Sequence, residues 1–152
     1  MMDQTELAED LDGSSLTVGI VVASFNGFIT QPLLDGALER LEALGVASTK
    51  VVRVAGALEL APIAARLAES VDAVIAIGAV IEGETDHYAH VAEQSSAGLT
   101  RVTLDSGVPV ANAVLTVRQV EHAQDRSLPG PSNKGHEAAE AAIIAANAMR
   151  RL

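Results

Sequence analysis

The segment DAVIAIGAVI, residues 72–81, is the most hydrophobic candidate strand in this chain of 152 residues. After Asp72 every residue is Val, Ile, Ala or Gly, with no alternation of polar and apolar side chains. That pattern is typical of a parallel strand that is covered on both faces. The stretch is also too short to cross a membrane. We therefore predict that it forms the central strand of a buried sheet.

Strand-like and helix-like segments alternate on both sides of this stretch. The other predicted strands are residues 16–25, 49–54 and 109–115. The predicted helices are residues 31–45, 58–70, one within 87–103, 117–126, and a closing helix over 134–152. Parallel strands joined by helical crossovers are covered by helices on both faces of the sheet. The sequence therefore predicts an α/β fold of the flavodoxin-like type, a three-layer sandwich around a four-stranded parallel sheet.

Composition and charge exclude several classes of protein. Hydrophobic residues make up 49% of the chain, which excludes disorder over most of its length. The formal net charge of −10 at pH 7 disfavours nucleic acid and anionic membranes as partners. Cysteine is absent, which excludes disulfides and thiolate metal sites and favours a cytoplasmic location. Residues 1–15 are polar and acidic and are predicted to form an N-terminal arm, followed by a single domain over residues 16–152.

The sequence EGETDHY, residues 82–88, follows the central strand directly. In open parallel sheets ligands bind outside the carboxyl ends of the strands, so this turn is the first place to look for a site. Gly83 permits a tight turn, and Glu84, Thr85 and Asp86 precede a predicted helix whose free N–H groups can bind an anion. His87 follows, and an imidazole can give or take a proton near neutral pH.

Two other interpretations of this turn remain open from the residues alone. Acidic and hydroxyl side chains before a helix usually act as caps, and His87 would then be a surface residue. A metal site formed by His87, His90 and either Glu84 or Asp86 is a weaker alternative, because no second cluster completes a ligand set.

Other residues at the ends of predicted strands and helices carry candidate chemistry. Phe25 leaves the first strand, where its ring either stacks on a heteroaromatic ligand or caps the core. Glu59 either accepts hydrogen bonds from hydroxyl groups or favours its own helix N-terminus. Arg126, before a Pro/Gly loop, is a candidate phosphate ligand or a helix C-terminal cation, with Lys134 at the end of the same loop. His122 and His136 are predicted to be surface residues.

Six short motifs occur together in one order and spacing. They are SFNGFIT (24–30), AGALELAPIAA (55–65), GAVIEGETDHY (78–88), PVANAVLT (109–116), DR (125–126) and NKG (133–135). In these motifs the chain resembles the 6,7-dimethyl-8-ribityllumazine synthase family, over nearly its whole length from Leu16 onward. Each motif alone is modest, and their common register is specific.

The resemblance implies a transferase that needs no metal and no organic cofactor. It condenses 5-amino-6-(D-ribitylamino)uracil with 3,4-dihydroxy-2-butanone 4-phosphate, releases phosphate, and so performs the penultimate step of riboflavin biosynthesis. By motif match Phe25 stacks on the pyrimidine and His87 donates a proton. The other implied substrate-binding residues are Ala57, Leu58 and Glu59 for the ribityl chain, Ala79, Val80, Ile81 and Asn112 for the pyrimidine, Glu84 and Thr85 on the phosphate turn, and Arg126 with Lys134 for the phosphate.

The resemblance also implies a homo-oligomer. In the family the site is shared between neighbouring subunits of a pentamer, with Asn112, Arg126 and Lys134 supplied by one chain and the other residues by the next. Some members assemble further into a hollow icosahedral 60-mer, and riboflavin synthase is a candidate protein partner. The N-terminal arm is a candidate for an added strand on a neighbouring subunit.

Two acidic residues depart from the family pattern. Glu82 stands where many members carry arginine, and Glu84 where many carry alanine or glutamine. A carboxylate beside a phosphate weakens anion binding unless it points away or meets a cation. We expect Glu84 to act through its backbone N–H, with its side chain in solvent.

Two related functions are alternatives. One is the archaeal-type riboflavin synthase, which shares the fold and dismutates the lumazine. The other is a non-catalytic relative that forms a shell or stores a ligand. The presence of His87, Arg126 and Glu59 together argues against the non-catalytic alternative.

Overall fold

Four strands form a single parallel sheet, as the sequence predicts. In the computed structural model, which describes residues 1–152, the strands are β1 (Thr17–Ala23), β2 (Ser48–Val54), β3 (Ala73–Ile81) and β4 (Val110–Val117). Their spatial order is β2-β1-β3-β4, and all three pairings are parallel. The apolar strand β3 therefore lies inside the sheet, between β1 and β4.

Helices connect the strands and cover the sheet. They are α1 (Gly27–Ala43), α2 (Leu60–Leu67), α3 (His87–Ser106), α4 (Val120–Asp125) and α5 (Lys134–Arg151), and a 3-10 turn (Ala57–Glu59) precedes α2. The structure is thus the predicted three-layer α/β sandwich.

Several predicted boundaries differ from the structure. Helix α1 begins at Gly27 rather than at residue 31, because Asn26 adopts a left-handed conformation (φ 59°) that turns the chain directly from β1 into the helix. The predicted helix over residues 58–70 contains the 3-10 turn, and its α-helical part ends at Leu67. The last strand continues to Val117, which pairs with Ile81, so the helix predicted from residue 117 begins at Val120.

The core consists of two aliphatic clusters, one on each face of the sheet. The first cluster joins the sheet to α1, α4 and α5, and the second joins it to α2 and α3. Every residue of β3 from Ala73 to Val80 is buried, because its side chains supply both clusters in turn. The continuous apolar pattern of this strand follows from that position.

The C-terminal end of α5 holds the last part of the N-terminal arm. The buried side-chain amide of Asn147 donates hydrogen bonds to the carbonyl oxygens of Asp10 and Asp12, both at 2.9 Å. The carboxylate of Asp10 forms an ion pair with Arg151. These contacts set the point from which the rest of the arm departs. No helix in the chain has the length and apolar character needed to cross a membrane.

Asp72, at the start of β3, connects the sheet to α5. Its carboxylate accepts hydrogen bonds from the N–H of Thr17 at 2.8 Å and from the guanidinium of Arg150 at 2.9 Å. Burial by itself raises the pKa of Asp72, but the bonds from Thr17 and Arg150 outweigh it, so the pKa lies below its ordinary value. The folded state therefore favours the charged carboxylate. This contribution to stability is present above the unfolded-state pKa and is lost as the pH falls through the folded-state pKa.

We predict that Asp72→Asn lowers the free energy of unfolding at pH 7 by about 1 kcal/mol, the net contribution of a hydrogen bond at a partly exposed site. The difference from the unaltered protein should shrink as the pH falls below about 4, where the wild-type carboxylate also takes up a proton. Urea unfolding at a series of pH values measures both effects. Asp105→Asn, at an exposed ion pair with Arg101, is the control and should change stability by less than about 0.5 kcal/mol. A loss that is the same at pH 7 and in acid would contradict the prediction.

Candidate active site

A cavity of about 260 Å³ opens at the carboxyl ends of β1 and β3, between the 3-10 turn and the start of α3. Most of its lining residues are apolar, and Asn26, Thr85 and His87 supply polar groups. The sequence-predicted site residues that line it are Phe25, Ala57, Ala79, Val80, Ile81, Thr85 and His87. The cavity thus brings together residues from four separate segments of the chain.

Phe25 stands at the mouth of this cavity. Its N–H donates to the carbonyl oxygen of Ala55 at 2.9 Å, which continues the pairing of β1 with β2 beyond the end of the strand. Its ring lies over Gly56, where a Cβ atom would come within 2.9 Å of the ring carbon Cδ2. Phe25 remains 64% exposed, so it does not cap the core. An exposed ring held by backbone bonds offers an open face for stacking.

Leu58 and Glu59 lie on the 3-10 turn beside this ring but do not line the cavity itself. A carboxylate oxygen of Glu59 is 3.5 Å from the position that a Cβ atom of Gly56 would occupy, on the same side as Phe25. Glu59 is exposed and makes no side-chain cap to α2. Glu59 does stand at the N-terminus of α2, where its charge is favourable, and its carboxylate makes no bond within the chain and is available to a ligand.

The turn over residues 82–86 leaves a row of backbone donors unused. None of the N–H groups of Gly83, Glu84, Thr85 or Asp86 donates a hydrogen bond within the chain. The side chain of Asp86 makes no cap to α3, and the hydroxyl of Thr85 accepts only a long hydrogen bond, 3.4 Å, from the N–H of His87. Capping therefore explains little of this turn, and its free N–H groups suit an anion.

None of the three acidic residues of this turn, Glu82, Glu84 and Asp86, lines the cavity. Glu82 forms an ion pair with Arg118, at 3.5 Å between Oε2 and Nε. Glu84 is exposed and forms no ion pair with Arg126, whose guanidinium instead donates to the carbonyl oxygen of His122 at 3.0 Å. No bond within the chain holds the carboxylate of Glu82 or Glu84 close to the free N–H groups of residues 83–86.

Asn26 is a cavity residue to which sequence reasoning assigned no role. Its side-chain amide donates to the carbonyl oxygen of Ala79 at 2.8 Å and so joins the end of β1 to the end of β3. The available signal in the sequence was the pair Asn26-Gly27 directly after a strand, because Asn tolerates the left-handed conformation that the structure shows here better than most residues. Tyr88 and Val91, on the first turns of α3, also line the cavity without having been predicted.

Three predicted residues, Asn112, Arg126 and Lys134, lie outside this cavity. Asn112 is exposed on β4, and its side-chain oxygen accepts a hydrogen bond from the N–H of Val114 at 2.8 Å. Arg126 follows α4 and Lys134 begins α5, and the N–H of Lys134 donates to the carbonyl oxygen of Arg126 at 2.9 Å.

The apolar parts of α4 and α5 belong to the first core cluster, whereas the cavity residues Ala57, Val80 and Val91 belong to the second. Within one chain the sheet thus separates Arg126 and Lys134 from most of the cavity.

The remaining histidines are placed differently from one another. His122 is exposed, as predicted. The prediction for His136 is wrong, because its side chain is 20% exposed and its Nε2 lies 2.8 Å from a carboxylate oxygen of Glu140, which also faces Arg40. No group of three or more His, Asp or Glu side chains is arranged to hold a metal ion, and His87 and His90 have no such third partner.

Comparison with known proteins agrees with the motif resemblance. Residues 15–150 match the family described as 6,7-dimethyl-8-ribityllumazine synthase. A protein of that name from Thermobifida fusca is 45% identical over 144 residues, covering 93% of this chain and 85% of the relative. One from Mycobacterium sp. strain KMS is 45% identical, with 93% and 90% coverage. One from Leptothrix cholodnii is 46% identical over 150 residues, with 96% and 95% coverage.

We predict that Gly56→Ala displaces the ring of Phe25, because the added methyl group would lie 2.9 Å from Cδ2. The affinity of the cavity for a planar heteroaromatic ligand should fall by up to about tenfold, since aromatic stacking contributes about 0.5–1.5 kcal/mol. Fluorescence titration with such a ligand measures the change. Gly27→Ala is the matched control, because a Cβ atom there meets nothing within 4 Å. Equal affinities in the two variants would remove Phe25 from the binding surface.

Proposed function

This chain belongs to the 6,7-dimethyl-8-ribityllumazine synthase family, and we propose that it catalyses the reaction of that family. 5-Amino-6-(D-ribitylamino)uracil condenses with 3,4-dihydroxy-2-butanone 4-phosphate, and inorganic phosphate is released. The observation that carries the proposal is the turn over residues 83–86. Its four N–H groups make no hydrogen bond within the chain, and it lies beside a cavity that contains His87 and Phe25.

The turn suits the phosphate of the second substrate. Free backbone N–H groups at a helix N-terminus bind phosphate without requiring a positive side chain. This matters in a chain with a net charge of −10, where most of the surface repels an anion. The hydroxyl of Thr85, held by a long contact only, can turn to the phosphate when it binds. Glu84 takes part through its N–H, with its exposed carboxylate in solvent.

The cavity walls suit the pyrimidine and the ribityl chain. The ring of Phe25 stacks on the pyrimidine, while the strand end at Ala79, Val80 and Ile81 offers backbone donors and acceptors to the ring edge. Ala57 lines the cavity next to Leu58 and Glu59, and the Glu59 carboxylate accepts hydrogen bonds from ribityl hydroxyls.

His87 performs the proton transfers. The amino group of the uracil attacks the ketone, water leaves and an imine forms. Removal of a proton from the carbon next to the imine then expels phosphate and leaves an enol, which becomes a ketone. The ribitylamino nitrogen attacks this ketone, and loss of a second water completes the ring of the lumazine. Loss of phosphate requires a proton to be moved close to the departing group. His87 lines the cavity immediately after the proposed anion-binding turn, so its imidazole is close to the position proposed for the phosphate. These steps require neither a metal ion nor an organic cofactor.

The site is completed by a second copy of the chain. Arg126 and Lys134 are separated from the cavity by the sheet, yet they are the basic pair that suits a phosphate. A neighbouring subunit that supplies them, together with Asn112, forms the full site at the subunit interface. We propose a homopentamer as the basic unit. The particle mass in solution distinguishes this pentamer from an icosahedral 60-mer. Riboflavin synthase is a candidate protein partner. A cytoplasmic location agrees with the absence of cysteine.

The N-terminal arm suits the same assembly. The outer edge of β2 pairs with no strand, and most of its residues are exposed. Lys50 and Arg53 on β2 carry positive charge, whereas the arm is acidic. Addition of the arm to β2 of a neighbouring subunit satisfies the free backbone groups of that edge.

An assay with defined substrates tests the function and separates the alternatives. The purified protein is incubated with both substrates, and formation of the fluorescent lumazine is followed. Lumazine formation supports the proposal. Conversion of added lumazine to riboflavin in the absence of the other substrates would indicate riboflavin synthase activity, and no turnover of either kind would indicate a non-catalytic relative.

We predict that Arg126→Ala raises the KM for the phosphorylated substrate by about 30-fold to 150-fold, since a lost charge-assisted hydrogen bond costs roughly 2–3 kcal/mol. The KM for the pyrimidine substrate should change little. Steady-state kinetics with each substrate varied in turn measures both values. Arg66→Ala, at an exposed ion pair on α2, is the control. An unchanged KM in Arg126→Ala would remove Arg126 from the phosphate site.

We predict that His87→Ala lowers kcat by about a hundredfold or less, because solvent can carry part of the proton transfer. Both KM values should stay within a few fold of the wild type. Single-turnover kinetics measures the chemical step directly. His90→Ala is the matched control, one turn further along α3 and outside the cavity lining. If both variants keep the wild-type rate, His87 has no part in the chemistry.

A further inference from the structure

Asn133 is a buried residue at the start of α5, and every hydrogen-bonding group of its side chain is used. It is 1% exposed. Its oxygen Oδ1 accepts hydrogen bonds from the N–H groups of Gly135 at 2.8 Å and His136 at 3.2 Å, which caps α5. Its amide Nδ2 donates to the carbonyl oxygens of Pro32 at 3.2 Å and Ser127 at 3.1 Å. The cap on α5 uses only the side-chain oxygen. The two bonds that Nδ2 donates are therefore not part of the cap and connect the start of α5 to Pro32 and Ser127.

Two glycines give this side chain its place. A Cβ atom at Gly36 would lie 2.4 Å from Oδ1 of Asn133, and a Cβ atom at Gly135 would lie 1.9 Å from the carbonyl oxygen of Leu33. Only glycine at both positions allows α1 and α5 to approach so closely. Asn133 therefore lies in a fitted space between the two helices, where its position is strongly constrained.

The bonds of Asn133 close the loop that carries Arg126 and Lys134. Its Nδ2 holds the carbonyl group of Ser127, the residue after Arg126, and its own N–H donates to Gly130 at 3.0 Å. The N–H of Lys134 donates to the carbonyl oxygen of Arg126 at 2.9 Å. The backbones of Arg126 and Lys134 are thus held side by side and, through Pro32, fixed to α1.

We propose that Asn133 is the positioning residue for the phosphate-binding pair Arg126 and Lys134. This inference rests on the proposed function, in which that pair reaches the phosphate bound to a neighbouring subunit. Asn133 does not touch the substrate. It fixes the loop before the substrate arrives, so that binding does not have to order it.

Two substitutions separate the loop contact from the helix cap. Asn133→Asp retains an oxygen acceptor for Gly135 and His136 but loses the donors to Pro32 and Ser127. Asn133→Ser also retains a capping oxygen and carries no added charge. The matched control is Asn147→Ser on the same helix, because Asn147 is also buried and its Nδ2 also donates to two backbone carbonyl oxygens. Particle mass and thermal midpoint are recorded for every variant, so that kinetics are compared between equally assembled proteins.

Both Asn133 variants should raise the KM for the phosphorylated substrate by about tenfold, the effect of a binding group that must be ordered on each encounter. The KM for the pyrimidine substrate and the kcat at saturation should stay within about twofold, and inhibition by inorganic phosphate should weaken in parallel. Asn147→Ser should leave the KM for the phosphorylated substrate unchanged. Asn133→Ser combined with Arg126→Ala should raise this KM little beyond Arg126→Ala alone, because Asn133 acts through Arg126.

The outcomes distinguish this inference from the proposed function. If Arg126→Ala raises the KM for the phosphorylated substrate while both Asn133 variants leave it unchanged, the role of Asn133 is overturned and the proposed site stands. If Arg126→Ala has no effect, the proposed phosphate site fails first. A tenfold effect that persists fully in the Arg126→Ala background would also overturn the inference, because Asn133 would then act by another route.

Hydrogen exchange of the unaltered protein tests the same point without a substitution. The amide protons of Asn133 and Lys134 should exchange slowly whether or not inorganic phosphate is present, because the loop is already ordered. Fast exchange that becomes slow only on addition of phosphate would overturn the inference.

Discussion

The burial of β3 on both faces is the constraint on which the rest of the structure depends. All residues from Ala73 to Val80 are buried, so each face needs a helical layer, and pairing with β1 and β4 leaves the strand without a free edge. The carboxyl end of β3 is then the point at which the chain leaves the interior, bordered by the ends of its two neighbours. The turn over residues 82–86 emerges there, and the cavity forms between this turn and Phe25 because Asn26 ties the end of β1 to Ala79 of β3.

The same layered arrangement places the proposed site residues on two faces of the sheet. Cavity residues such as Ala57 and Val91 pack with α2 and α3, while α4 and α5, on either side of Arg126 and Lys134, belong to the core cluster that contains α1. In the proposed site a second copy of the chain therefore supplies the basic pair. The buried amide of Asn133, held between Gly36 and Gly135, bonds to the loop that carries this pair.

The net negative charge of this protein is unfavourable for an anionic substrate, so binding of such a substrate depends on local groups. With a net charge of −10, the chain has few positive groups to offer a phosphate, and the turn beside the cavity carries Glu82 and Glu84. Glu82 pairs with Arg118, and Glu84 and Asp86 are exposed. The N–H groups of residues 83–86 make no bond within the chain and are the donors of the proposed anion site. Backbone donors keep their polarity whatever the surrounding side chains are, which lets acidic residues be tolerated close to an anion site.

The sequence by itself determined the architecture and predicted a site at the carboxyl ends of the strands, where the cavity opens. An apolar run without alternation specifies a strand buried on both faces, alternation of strands with helices specifies a parallel sheet, and the ends of such strands are where ligands bind. It did not determine the start of α1 or the role of Asn26, since both depend on one left-handed residue and on a partner 53 positions away. Nor did it show that Glu82 pairs with Arg118, that His136 is half-buried, or that the sheet separates Arg126 from most of the cavity. Those features were decided by the tertiary structure. A local pattern indicates which face of a helix or strand is buried, whereas contacts between distant segments form only when the layers pack together.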